Sequence, residues 1–143
     1  MAKLENRRAR HDYEILESLE AGLVLRGTEV KSLRATGADF TGSFARFDGN
    51  DLFLEDLHIA PYEKGSFTNH DPRRKRKLLL HRHELFKLRQ KVEQKGFTLV
   101  PLKIYFNERG LAKVLLGLGR GKKEYQKKAD DKRKAVAREL ENW

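Results

Sequence analysis

Cysteine is absent from the chain, which excludes both a disulfide framework and a thiolate metal site. Proline occurs only at Pro61, Pro72 and Pro101, too rarely for a polyproline or linker-like chain. Purely apolar runs last a few residues, far short of a bilayer span. The opening stretch, Met1 to Asn6, has no apolar leader, so a cytoplasmic location with no membrane partner is expected. Large apolar side chains are also missing from residues 119–134, where Tyr125 stands alone. That stretch cannot bury enough surface to offset the entropy of ordering it.

Positive charge is what the chain has in excess. The 143 residues carry a net +10, and the excess is clustered. Residues 1–11 hold +3, residues 73–91 hold +8 and residues 120–143 hold +4, while residues 35–72 hold −5. Localised cations attract polyanions and speed their encounter, which suits RNA. A purely solvating role for these lysines and arginines is the competing reading. The length fits one domain with a short appendage and suffices for a core without staples.

Periodicity places the elements. Tyr13, Ile15, Leu19, Ala21, Leu23 and Leu25 alternate with polar residues, predicting a half-buried strand bent at Gly22. Thr28 is the expected cap of a short helix over 29–34 that closes at Gly37. Two strand-like runs flank Asp48-Gly49-Asn50-Asp51, a hairpin signal. The pattern over 81–95 predicts a helix stopped by Gly96. Runs 97–107 and 111–118 predict a second hairpin, and the apolar phase slips at Pro101, as a bulge would make it. The fold class is therefore mainly β: an oligonucleotide-binding-like antiparallel barrel of about six strands with two or three flanking helices and a basic C-terminal tail. The barrel domain is assigned to 1–120. The tail, 121–143, keeps latent helical character, since Val136, Leu140 and Trp143 fall on one stripe.

No reaction centre emerges. The segment Gly117 to Lys123 fails the phosphate-loop pattern at both ends, with Leu116 and Lys123 in the required positions. His81 and His83 are expected on different sides of a helix, and His11, His58 and His70 lie in unrelated segments, so no metal and no cofactor is expected. His11-Asp12 and His70-Asp71 are the nearest things to a nuclease dyad, but no second acidic cluster would hold a metal.

The basic constellations carry more. Arg73, Arg74, Lys75, Arg76 and Lys77 follow a turn built by Asn69, Asp71 and Pro72. Arginine adds bidentate phosphate recognition and stacking. Near the start, Asn6, Arg8 and His11 mix an amide, a cation and an imidazole, groups able to touch 2′-hydroxyls and base edges as well as phosphates. Tyr62, Phe67 and Tyr125 are the candidate stacking aromatics.

Together the stretches NRRARHDYEI, LEAGLVLRGTEVKSLR, the hairpin on DGND, DPRRKRKLLLHRHEL and LVPLKIYFNERGLAKVLLGLGRGKK resemble the SsrA-binding protein family (small protein B), in the family's order and over nearly the whole chain up to Lys123. The resemblance implies a barrel that binds the tRNA-like domain of transfer-messenger RNA and acts with elongation factor Tu. It also implies delivery to stalled ribosomes, whose decoding centre and empty message channel the tail senses. Asn6, Glu20, Arg34, Leu79, His81 and Lys113 match positions the family uses at its RNA face. Lys122 and Lys123 match the start of the family tail, after which Tyr125 and Gln126 stand where family tails often have His and Asp. With Lys127, Lys128, Lys132 and Arg133, Tyr125 completes the expected ribosome-facing set. The implied role is a non-enzymatic adaptor for trans-translation. The rival classes are a structural ribosomal protein and a ribonuclease.

Overall fold

The computed structural model describes residues 4–64 and 69–141, with side chains up to 138. Phe67 and Trp143, and the side chain of Leu140, lie outside the described residues. The chain order is α1 (Ala9–Asp12), β1 (Tyr13–Leu23), α2 (Gly27–Thr36), β2 (Phe44–Asp48), β3 (Asp51–Glu55), β4 (Arg76–Leu79), α3 (Arg82–Lys95), β5 (Thr98–Phe106), β6 (Ala112–Gly121) and α4 (Glu124–Glu141). The strands close into a barrel in the order β1-β4-β3-β2-β5-β6, with every pair antiparallel.

Alternation decides what fills the barrel. Leu52 and Leu54 from β3, Ile104 from β5 and Leu116 and Leu118 from β6 point inward and are buried. Strand β5 is buried on both faces, because Val100 and Leu102 pack outward under Ala9 and Tyr13. The one-turn helix α1, which no periodicity announces, therefore acts as a lid on the outside of the barrel.

Two bulges set the phase. The pairing of β5 with β6 shifts between Pro101 and Lys103, where the apolar pattern slips. The freed carbonyls are not left unsatisfied: the Asn6 amide N–H donates to Leu102 O at 2.8 Å, and its side-chain Nδ2 donates to Pro101 O at 2.8 Å. A second shift, between Ile15 and Glu17, turns Leu16 out to solvent. Opposite it, a Cβ on Gly119 would lie 2.1 Å from Glu14 O, so only glycine fits there. The bend expected at Gly22 is the point where β1 is shared. Gly22 pairs with Lys113 on one side and Leu79 on the other.

Helix α2 begins earlier than Thr28 suggests. Its N-cap is Arg26, whose backbone N–H donates to Glu29 Oε1 at 2.7 Å, so an acidic residue three positions on closes the first turn. The Thr28 hydroxyl instead meets His70 Nδ1 at 2.9 Å. Gly37 ends the helix at φ 84° and Gly96 ends α3 at φ 68°, as their positions predict.

Candidate nucleic-acid interface

Cross-strand register builds the site. Leu79 on β4 faces Gly22 on β1, Gly22 faces Lys113 on β6, and Lys113 faces Tyr105 on β5. Their neighbours Leu78, Leu23, Val114 and Ile104 are buried, so alternation turns this whole row outward. Leu79 is 53% exposed. It can stay so because Gly22 has no side chain beneath it: a Cβ there would lie 3.2 Å from that of Leu79.

Glu20 stands two residues along β1 from Gly22. Its carboxylate accepts a hydrogen bond from the Tyr105 hydroxyl and lies 3.9 Å from Lys113 Nζ. Burial, with that hydrogen bond and the Glu20 charge, pushes the Tyr105 hydroxyl up to about 12, so it stays a donor at neutral pH. Lys103 Nζ sits 5.4 Å from the Tyr105 ring centroid. At the same end of β5 the Arg34 guanidinium lies 4.1 Å from the centroid of Phe106. His81 follows Leu79 by two residues as the N-cap of α3. The structure thus sets Glu20, Leu79, His81 and Lys113 along one side of the barrel, with Arg34 over Phe106, one residue beyond Tyr105. It adds Tyr105, which sequence reasoning missed. The available signal was its place in the outward phase of β5, beside Lys103.

Asn6 is not with them. It is tied to the Pro101 bulge, four residues up β5 from Tyr105 and so about 13 Å away. With Arg8 it lines a cleft between the N-terminal arm and the Phe40–Phe44 segment. The chain therefore offers two polar areas, not one.

The basic run is corrected most. Strand alternation sends its members to different places. Arg76 is fully buried: Nε bonds to Glu29 Oε2, Nη1 donates to Leu57 O at 2.7 Å and Nη2 donates to Pro72 O at 3.1 Å. It is not available to RNA. Arg74 is also turned inward, donating from Nη2 to Glu29 Oε1 at 2.6 Å. Burial alone would raise the Glu29 carboxyl, but the hydrogen bonds from Arg74 and Arg26 and the Arg76 charge hold it below the ordinary value. Arg73 is exposed. Lys75 pairs with Asp48 at 2.5 Å and lies over the Phe53 ring, while Lys77 is 3.7 Å from Asp51. Acidic residues from other segments thus neutralise much of a cluster that looks bare in sequence.

His70 is a core histidine, held by Thr28 and by Ile59 O at 2.9 Å from Nε2. His81 and His83 are not on different sides of a helix. His81 is the cap, outside the helix, and its ring stacks on His83 with centroids 5.6 Å apart and planes 9° apart.

At the other end, α4 lies against α1. His11 meets Asp12 Oδ1 through Nδ1 and Asp131 Oδ1 through Nε2, both at 3.0 Å. Asp130 accepts from Lys122 and Arg133, and Lys127 Nζ is 3.8 Å from Asp12. Lys123, Tyr125, Lys128, Lys132 and Arg133 face solvent. The hydrogen bond from His11 and the Arg8 charge outweigh burial in holding the Asp12 carboxyl below its ordinary value, and Lys122 does the same for Asp130. A lowered carboxyl stabilises the folded contact above its unfolded value and stops doing so as pH falls through the lowered one. This contact should therefore hold above about pH 4 and loosen below it. Amide chemical shifts of α4 followed from pH 7 to pH 2.5 check this; shifts that stay flat between pH 5 and pH 2.5 refute it.

Among the described residues, no helix is long and apolar enough to cross a membrane, and no group of three or more His, Cys, Asp or Glu is placed to hold a metal. Comparison with known proteins agrees with the barrel. A Thermus thermophilus protein named SsrA-binding protein is 75% identical over 138 residues, 96% of each chain. A Moorella thermoacetica protein of the same name is 55% identical over 95% of this chain and 90% of its own. A solved chain from the work described as "tmRNA-SmpB: a journey to the center of the bacterial ribosome" superposes with a TM-score of 0.71 at 75% identity, covering 93% of both chains. A family model described as SmpB protein matches residues 3–143, and with relatives this similar along nearly their whole length the chain belongs to the SmpB protein family.

Proposed function

We propose that this protein is a non-enzymatic RNA-binding adaptor for trans-translation. In this reading it grips the tRNA-like domain of transfer-messenger RNA and brings it to stalled ribosomes. The observation that carries it is the outward row Leu79–Gly22–Lys113–Tyr105 with Glu20 beside it, on a chain whose relatives are named for binding SsrA RNA. A carboxylate at an RNA face has work to do: it accepts from ribose hydroxyls and base amino groups. Tyr105 and Lys113 hold it in place for that. Arg34 and Arg73 supply phosphate contacts, and so does Arg8 where the RNA reaches the N-terminal arm; His11, proposed from the sequence, is held between Asp12 and Asp131 instead.

The tail performs the second task. Tyr125, Lys128, Lys132 and Arg133 are presented along one exposed helix, with Lys123 just before it, matched to the polyanionic wall of an empty message channel near the decoding centre. Helix α4 is the form we assign to the ribosome-bound tail, with Lys122 and Lys127 at its root. Elongation factor Tu belongs to the delivery complex, and the setting is cytoplasmic. No residue is assigned a catalytic step.

Replacing Glu20 with alanine tests the first task. Its side chain is exposed, so the barrel should keep its circular dichroism and melting temperature. Losing charge-assisted bonds to the RNA should weaken binding of a tRNA-like domain about 10- to 100-fold in a filter assay. Wild-type affinity in the variant would move the RNA face elsewhere. Binding should also weaken steeply with added salt.

A further inference from the structure

Helix α3 wastes an aromatic side chain unless something covers it. Its buried stripe is Leu88, with Leu85 and Val92 packed against the core. Phe86 lies off that stripe and is 63% exposed. A lone exposed hydrophobe needs no explanation, but Phe86 is not alone. His83 precedes it by three residues, which places the two side chains side by side on the helix. The His83 ring is stacked flat on His81, and His81 begins two residues after Leu79. An exposed aromatic strip, His81–His83–Phe86, therefore continues the polar row from the barrel onto α3.

The charges beside this strip are of one kind. Arg82 and Lys87 are exposed and, among the described residues, have no carboxylate within 4.0 Å. The neighbouring cations on α3 differ: Arg89 is paired with Glu93 at 3.1 Å and Lys91 with Glu17 at 2.6 Å. Free cations flanking π-faces suit a nucleotide, whose phosphate and base need those two things together. A protein partner docking on Phe86 would want an apolar core wider than one ring, and Phe86 is the one large exposed hydrophobe on α3 among the described residues.

We propose that His83 and Phe86, with His81, form a stacking platform for one unpaired base of the bound RNA, its phosphate held by Arg82 and Lys87. This rests on the RNA-adaptor reading and adds to it a subsite on α3. The strip is independent of Glu20, so the two can be separated by mutation.

The test uses the full-length protein, a tRNA-like domain carrying 2-aminopurine at unpaired loop positions in turn, and a blunt RNA duplex of equal length. Phe86→Ala and His83→Ala should each weaken binding of the loop-containing RNA about 5- to 150-fold and remove the 2-aminopurine quenching at one position. Binding of the duplex should change less than twofold. Phe86→Trp should restore affinity and quenching, whereas Phe86→Leu should not, because leucine keeps the apolar surface without the π-face. The platform is overturned if Phe86→Ala binds as wild type does, or if Phe86→Leu is fully active, which would mark an apolar contact with another molecule. In either case wild-type binding leaves the adaptor reading standing. Failure of the wild-type protein to bind any of these RNAs at low salt would remove both.

Discussion

A chain ended after Gly121 is expected to bind a tRNA-like domain as the full chain does and to support no tagging. The cut is chosen from the register. Tyr13 pairs with Gly121 at the end of the β1–β6 ladder, so stopping there keeps every strand pair and every member of the Glu20 row. What leaves with α4 is a set of surface contacts. Asp131 leaves His11, Asp130 leaves with its partner Lys122, and Lys127 leaves Asp12. Single ion pairs at the protein surface contribute little each, so the shortened barrel should melt within a few degrees of the full chain. The ribosomal function should fall to background, because Lys123, Tyr125, Lys128, Lys132 and Arg133 are gone. Filter binding and a translation reaction on a message lacking a stop codon read the two halves separately. Tagging by the shortened protein would refute the tail assignment, while loss of RNA binding would place α4 on the RNA-binding side.

Patterns with a short period were the legible part of this fold. The Asp48–Asp51 turn, the Gly96 stop and the Pro101 slip each come from a local rule, and the structure has the hairpin, the helix end and the bulge where those rules put them. The Leu16 bulge was visible in principle as an apolar residue in a polar phase, but one inverted pair in eleven residues is a weak signal. What could not be read was pairing at a distance. Glu29 comes 47 residues before Arg76, and nothing in a run of five cations says that alternate members turn inward to meet it. Helix α1 was invisible for a similar reason: four residues have no period, and it forms because Ala9 fits over Val100 and Leu102. Of the candidate site, Glu20, Leu79, His81, Arg34 and Lys113 were reached through family resemblance. Tyr105 needed the register of β5 against β6.

Glu29 is where a single substitution should cost the most. Its carboxylate and the Arg76 side chain are both completely buried, and the other two nitrogens of Arg76, Nη1 and Nη2, donate to Leu57 O and Pro72 O. Removing one partner of such a pair strands the other charge in a medium that solvates it poorly, which costs about 3–5 kcal/mol. A chain of this size has a total stability on the order of 10 kcal/mol, so Glu29→Ala should lower the urea midpoint by a large fraction. It also loses the acceptor for the Arg26 N–H at the start of α2. Arg74→Ala should cost much less, because Arg74 is partly exposed and Glu29 keeps Arg76. The double variant Glu29→Leu with Arg76→Met should recover most of the loss, since a buried pair replaced by apolar side chains of similar volume is often neutral. Acid provides a further check. Glu29 is held below its ordinary value, so its contribution is present above about pH 4.3 and is lost as pH falls through the lowered value. Glu29→Gln should accordingly be less stable at pH 7 and show a shallower fall in stability between pH 5 and pH 3. Equal urea midpoints for Glu29→Ala and Arg74→Ala would mean that the buried pair is not what secures α2 to the barrel.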